Sequence, residues 1–272
     1  MQKTTFIHMM MKTRISILSA ICMMLSLMAC GTNRQAVKPG AGAARQLQVT
    51  DFNAIENSSV VTVRLRAGSR LSVKAENYDP KVDNIYVKGR TLHIESRRTK
   101  GPNNRKTRLT LTITAPRLQA VSNSGVMNMD TERWKCTDLK LQNAGVANIH
   151  LRQISCNSLT YTNAGVITFE CSGSAKKATL TNEGQSNGQL DLASDNLKIN
   201  NSGVGHLQIH FKGTTIDIRN SGQGNIHADV DCTRLTAYNS GIGDFEIVGT
   251  ADDTKIDTDG QAHITTKNLN KF

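Results

Sequence analysis

The sequence predicts an all-β chain, a right-handed parallel β-helix with coils of 19–20 residues. Three observations predict it. An Asn-x-Gly element returns at a nearly fixed spacing. The residues on either side of it alternate between apolar and polar. Beyond the first thirty positions, no segment carries the 3.6-residue period of a helix.

The repeat reads NSGVMNM from Asn123, NAGVANI from Asn143, NAGVITF from Asn163, NEGQSNG from Asn182, NSGVGHL from Asn201, NSGQGNI from Asn220 and NSGIGDF from Asn239. A degenerate TDGQAHI starts at Thr258, and the steps between copies are 20, 20, 19, 19, 19, 19 and 19 residues. A period of this length marks a solenoid in which each unit is one coil stacked on the next. At about 3.3 Å per residue a coil draws a loop roughly 60 Å around, and successive coils sit about 4.8 Å apart. Parallel crossovers are right-handed in nearly all proteins, and the hexapeptide repeat of left-handed forms is missing.

In most coils, residues four and two places before the Asn are apolar, as in Leu139 and Leu141, Leu159 and Tyr161, or Ile216 and Ile218. So are those six and eight places after it, as in Ile149 and Leu151, Leu207 and Ile209, or Phe245 and Ile247. A period of two means strands with one buried face. The Asn-x-Gly element then makes a corner. Gly125, Gly145, Gly165, Gly184, Gly203, Gly222 and Gly241 are expected to supply positive φ. Stacked Asn side chains are expected to form an amide ladder. The coil at Asn182 departs from the pattern, with Ser186 and Gly188 in place of Gly and an apolar residue, and a bulge or altered turn is expected there.

Residues 47–122 read as strands as well: VVTVRL, RLSVKAE, NIYVKG, TLHIES and RLTLTITAP. RAGS and KGRT separate hairpin-like pairs. This part is expected to supply a cap and the first coils, continuous with the repeats at 123–272, because a bare terminal coil exposes unpaired backbone.

Ahead of the strands, Lys12 and Arg14 precede the apolar run ISILSAICMMLSLMA, which ends at Cys30. A basic n-region, an apolar h-region and Leu27-Met28-Ala29-Cys30 predict a signal peptide over 1–29 with a lipobox. Cleavage before Cys30 and lipidation of that cysteine would follow; an ordinary signal or an uncleaved anchor is the alternative. Residues 30–46, rich in Gly, Ala and polar side chains, are expected to be a tether. The chain would then sit in the envelope of a Gram-negative bacterium, held on a membrane by acyl chains, on the outer membrane by expectation.

The net charge of +11 falls to +8 once Lys3, Lys12 and Arg14 are set aside. Residues 30–122 hold 17 Lys and Arg against 6 Asp and Glu, whereas residues 123–272 hold 13 against 16. The basic run RRTKGPNNRKTR at 97–108 is a solvated loop or a contact for anionic partners. With 4% aromatic residues the chain offers no stacking platform, which argues against nucleic acid.

The lipobox, the strand-rich opening DFNAIENSSVVTVRLRAGSRLSVKAE and the serial elements NSGVGHL, NSGQGNI and NSGIGDF resemble the putative auto-transporter adhesin, head GIN domain family. The resemblance covers about residues 48–265. It implies a right-handed β-helix in the bacterial envelope and carries no established chemistry.

In a solenoid, position in the repeat reports position in space. Nine places after successive Asn residues stand Asp191, His210 and Asp229, an outward trio. Such a set titrates near neutrality or binds a divalent metal; a solvated polar face is the competing reading. Cys136 and Cys156 share one repeat position in adjacent coils. Their predicted spacing permits a disulfide, and a stack of free thiols fits equally. No C-x-x-C or H-E-x-x-H occurs, so no zinc site is expected, and no cofactor is implied. Most outward positions are polar, which suits a polar partner. The sequence thus predicts a non-catalytic, lipid-anchored binding or structural module that presents flat faces to glycan or an envelope protein. The alternative is a polysaccharide lyase or hydrolase on the same scaffold. Tight coils leave little room for a loop-walled groove, which favours the first.

Overall fold

A computed structural model describes residues 35–36, 44–97, 108–259, 263–266 and 269–271. Cys30, the signal segment, most of the tether and residues 98–107 of the basic run lie outside the described residues.

The described chain is all β, a parallel solenoid with no helix. Its later coils are long bent strands: β13 (Val146–Asn163), β14 (Val166–Asn182), β15 (Gln185–Asn201), β16 (Val204–Asn220), β17 (Gln223–Asn239) and β18 (Asp244–Thr258). Each pairs with the next in parallel and in register, so that Leu159, Ala178, Leu197, Ile216 and Leu235 fall in one column. Those five side chains are buried. Burying each Leu or Ile contributes about 1.5–3 kcal/mol, and the column repeats that gain at every rung.

Two interruptions turn the chain. One is the Asn-x-Gly corner. The other falls at Lys176, Asp195, Thr214 and Thr233, where ladder pairing lapses for one residue per coil. The 20-residue coils carry one residue more than the 19-residue coils. The excess is taken up between Leu151 and Ile154, where the register shifts and Gln153 adopts φ 52°.

The Asn side chains form the ladder. Nδ2 of Asn123 donates to Oδ1 of Asn143 at 2.8 Å, Asn143 to Asn163 at 2.8 Å, Asn163 to Asn182 at 2.8 Å, Asn182 to Asn201 at 2.6 Å, Asn201 to Asn220 at 2.6 Å, and Asn220 to Asn239 at 2.8 Å. Each of these Nδ2 groups also donates to the carbonyl of its own corner glycine. All the ladder residues are buried. Satisfied at both ends, the amides avoid the desolvation cost of an unpaired buried polar group.

The expected reason for the corner glycines needs correcting. None of Gly125, Gly145, Gly165, Gly184, Gly203, Gly222 and Gly241 has positive φ. Their constraint is contact between coils. A methyl at Gly165 would overlap the carbonyl oxygen of Gly145 one coil below, and the same holds up the column. The expected irregularity at Asn182 is absent too. Register runs unbroken through Gln185, Ser186 and Gly188, and the Asn182–Asn201 bond is intact. Gly188 sits in register with Phe169, and a Cβ there would run into Leu207. The large neighbours above and below occupy the space a side chain would need.

The ladder starts one corner earlier than the repeat pattern predicts. Asn57 donates to Oδ1 of Asn123 at 2.7 Å across 66 residues of chain. Its corner, Asn57-Ser58-Ser59, joins β3 (Ala54–Asn57) to β4 (Val60–Ala67). These pair in parallel with β9 (Ala120–Asn123) and β10 (Val126–Thr131). Below them lie β7 (Thr91–Ser96) and β8 (Leu109–Ala115), also parallel. The floor is then closed by antiparallel strands. β6 (Asp83–Lys88) pairs with β7, and β5 (Ser72–Glu76) pairs with β8. β1 (Gln35–Ala36) and β2 (Ala44–Leu47) pair outside β6 and β5. KGRT makes a tight hairpin between β6 and β7, with Gly89 and Arg90 both at positive φ. RAGS does not. β4 uses its two edges for β8 and β10, so β5 pairs with β8 instead.

Candidate functional site

Because coils stack in register, the face that follows the Asn corner is a set of outward columns. The first contains Val126, Val146, Val166, Gln185, Val204, Gln223 and Ile242, each immediately after a corner glycine. Val146 is 49% exposed, Val204 50% and Ile242 57%. The expectation of a mostly polar outward surface fails here. The corner turns this side chain away from the core, and only the next residue points in. A shallow trough of about 620 Å³ runs along this column between Val166 and Ile242.

The second outward column holds Thr62, Asn128, Asn148, Thr168, Asn187, His206, Asn225 and Asp244. It offers hydroxyls and amides at about 4.8 Å intervals. The third holds Arg64, Asp130, His150, Glu170, Gln189, Gln208, His227 and Glu246. Here His150 stands between two carboxylates, with Nδ1 3.9 Å from Asp130 and Nε2 3.8 Å from Glu170. Higher up, Nδ1 of His227 lies 3.0 Å from Glu246. The sequence reading missed both groupings because it followed the position nine after the Asn. The position seven after it, read on the same alignment, exposes them.

The predicted trio is in register: Asp191 pairs with His210, and His210 with Asp229. His210 Nδ1 lies 3.5 Å from Asp229 Oδ2, and both side chains are about half exposed. Lys212 and Asp231 stand beside them on the next outward positions, 2.9 Å apart. The Lys212 ammonium holds the Asp231 carboxyl below its ordinary pKa, and the carboxylate raises that of Lys212. Among the described residues, no group of three or more His, Cys, Asp or Glu is arranged to hold a metal ion. Among the described residues, the strands of this face follow one another through short corners with no long loop between them. The face combines an apolar rail, an amide and hydroxyl rail, and a charged rail, side by side.

At the opposite edge, Cys136 and Cys156 are free thiols, Cys136 half-buried and Cys156 buried. The Cys156 thiol donates to the Ser174 carbonyl at 3.9 Å.

Residues 51–219 and 210–271 match the family described as "Putative auto-transporter adhesin, head GIN domain". The chain belongs to this family. Similar solved structures include a putative adhesin from Bacteroides fragilis, 21% identical, covering 82% of this chain and 95% of that one, with TM-score 0.64. A protein described as a putative lipid binding protein from Parabacteroides distasonis is 18% identical, covering 84% and 97%, with TM-score 0.68. A putative adhesin from Parabacteroides merdae is 16% identical, covering 82% and 95%, with TM-score 0.52. At these identities the likeness concerns the fold. Among curated proteins nothing matches.

Proposed function

We propose that this protein is a non-catalytic, lipid-anchored module of the bacterial envelope that binds a repetitive polysaccharide along the Val146–Ile242 face. The observation that carries the reading is the exposed apolar column with its alternating amides: Val166, Gln185, Val204, Gln223 and Ile242 on consecutive rungs. Sugar rings present C–H faces to apolar side chains and hydroxyls to amides. The rails supply both, and among the described residues no long loop interrupts the coils from β13 to β18. A repetitive ligand matches a repetitive surface, since each added residue of polymer meets another rung and avidity accumulates. The family's adhesin designation and the lipobox ending in Cys30 support an envelope location.

A glycan array probed with the purified chain, run beside reducing-sugar and unsaturated-product assays on the bound polymers, tests this. Binding without turnover is expected, lost when Val166 and Val204 are both changed to Asp. Turnover of any bound polymer would overturn the non-catalytic reading. Binding only to a protein of the envelope, with every glycan negative, would overturn the choice of ligand.

A further inference from the structure

The Cys136–Cys156 pair has features that packing alone does not require. Trp134 and Lys135 pair in register with Ile154 and Ser155, and the Cys136 amide donates to the Ser155 carbonyl at 3.0 Å. This register sets Cys156 one rung above Cys136. The two sites differ sharply. Cys136 is partly open to solvent, whereas Cys156 is only 7% exposed. Two residues before Cys136 lies Trp134, whose buried indole N–H has no hydrogen-bond partner among the described residues. An orphaned donor next to a sulfur is costly when that sulfur is a neutral thiol and useful when it is a thiolate. Above Cys156 the same repeat position is filled by Ala175, Ser194 and Gly213. These small residues leave a trough of about 410 Å³ that reaches Cys156 and is lined also by Lys176, Asp195 and Lys212.

We infer that Cys136 and Cys156 form a redox-active dithiol that exchanges with external disulfides, Cys136 attacking and Cys156 resolving. The neighbouring Cys156 thiol, with the Trp134 indole, lowers the Cys136 pKa against the opposing effects of burial and Asp138. The proximity of Cys136 and burial raise that of Cys156. Cys136 is therefore the first to ionise, and the thiolate is the attacking species.

The exchange balances as follows. The Cys136 thiolate attacks one sulfur of a disulfide RS–SR. The S–S bond breaks, and the departing RS⁻ takes the proton that Cys156 gives up. The Cys156 thiolate then attacks the Cys136 sulfur of the mixed disulfide. The second RS⁻ leaves and takes a proton from water, replacing the one Cys136 released on ionising. Two thiols of the chain are oxidised, and one external disulfide is reduced to two thiols. The oxidant is a small or protein-borne disulfide.

Neighbouring rungs stand about 4.8 Å apart, inside the Cα range for a disulfide. In-register side chains run side by side, which keeps the Cβ atoms near that spacing and wider than the usual 3.5–4.5 Å or so. A bridge closed here is strained, and strained bridges reduce readily. The pair is thus suited to exchange more than to permanent stapling.

The test treats the reduced, detergent-solubilised full chain with oxidised glutathione, quenches by alkylation, and maps peptides by mass spectrometry. Expected is a Cys136–Cys156 cross-link that opens again in reduced glutathione. The Cys156→Ser variant should accumulate glutathione on Cys136. The Cys136→Ser variant should react at Cys156 about tenfold or more slowly than the unaltered chain reacts at Cys136. Circular dichroism identical to that of the unaltered chain keeps both variants interpretable. Full alkylation of both cysteines after equilibration with excess oxidised glutathione would overturn the inference. So would Cys171 or Cys232 reacting as fast as Cys136, or no trapped adduct in Cys156→Ser.

Discussion

Asn182 donates its side-chain amide to Oδ1 of Asn201 at 2.6 Å, although the Asn182 coil has the least typical sequence of the series. The hydrogen bond depends only on the stacking of one corner on the next. Replacing Asn201 with Ala removes an acceptor from Asn182 and a donor from Asn220. Leaving such buried groups unpaired costs about 1–3 kcal/mol, so the urea midpoint should fall accordingly. Proteolysis or hydrogen exchange should place the loosening in the coils at Asn182 and Asn220, since solenoid contacts are between neighbours. An unchanged midpoint would mean that the ladder is decorative.

Gly165→Ala and Gly89→Ala separate two reasons for glycine. At Gly165 the added methyl meets backbone of the coil below and has nowhere to go. Overpacking of this kind costs about 1–3 kcal/mol or more. At Gly89 φ is 57° and the surrounding space is open, so only backbone strain is added. The expected result is a larger drop in thermal midpoint for Gly165→Ala.

How far the sequence revealed the fold can be judged from these same corners. Spacing alone located Asn123 through Asn239, because a solenoid converts period into position. It did not reveal why Gly was needed there: the same letter serves positive φ and close approach, and only coordinates tell them apart. Asn57 stayed hidden because Ser59 stands where Gly is usual and β5 to β8 intervene before the next corner. The antiparallel floor has no repeat to betray it. Of the outward face, the Asp191–His210–Asp229 register was legible. The Val rail was not, since an apolar residue beside a corner reads as core until the direction of the turn is known.

Val166→Asp with Val204→Asp should leave stability nearly unchanged, within about 0.5 kcal/mol, because both side chains are about half exposed. Polysaccharide capture should nevertheless be lost. Matched thermal melts alongside a binding isotherm separate the two effects.

Burial pushes the Cys171 thiol up from 9.0 to about 12. A thiol raised in the folded state contributes stability that is fully present below pH 9 and is lost as pH rises toward 12. In that window the unfolded chain has released the proton that the folded chain keeps. Denaturant titrations between pH 8 and 11.5 should show declining stability, with the slope reduced in Cys171→Ala. Native Cys171 should also resist iodoacetamide at pH 8, where it remains a neutral thiol.

Cys30→Ser should abolish incorporation of labelled fatty acid and move the protein from the membrane pellet to the soluble fraction, with the solenoid unaltered by circular dichroism. Retention in the pellet would favour an uncleaved anchor.

The first strands to be synthesised, β1 to β8, make up the floor on which β9 and all later coils rest. A chain threaded through a translocation channel amino end first therefore delivers its foundation before its storeys. Each emerging corner meets a finished edge with an open amide waiting, and the solenoid rises from its amino-terminal floor.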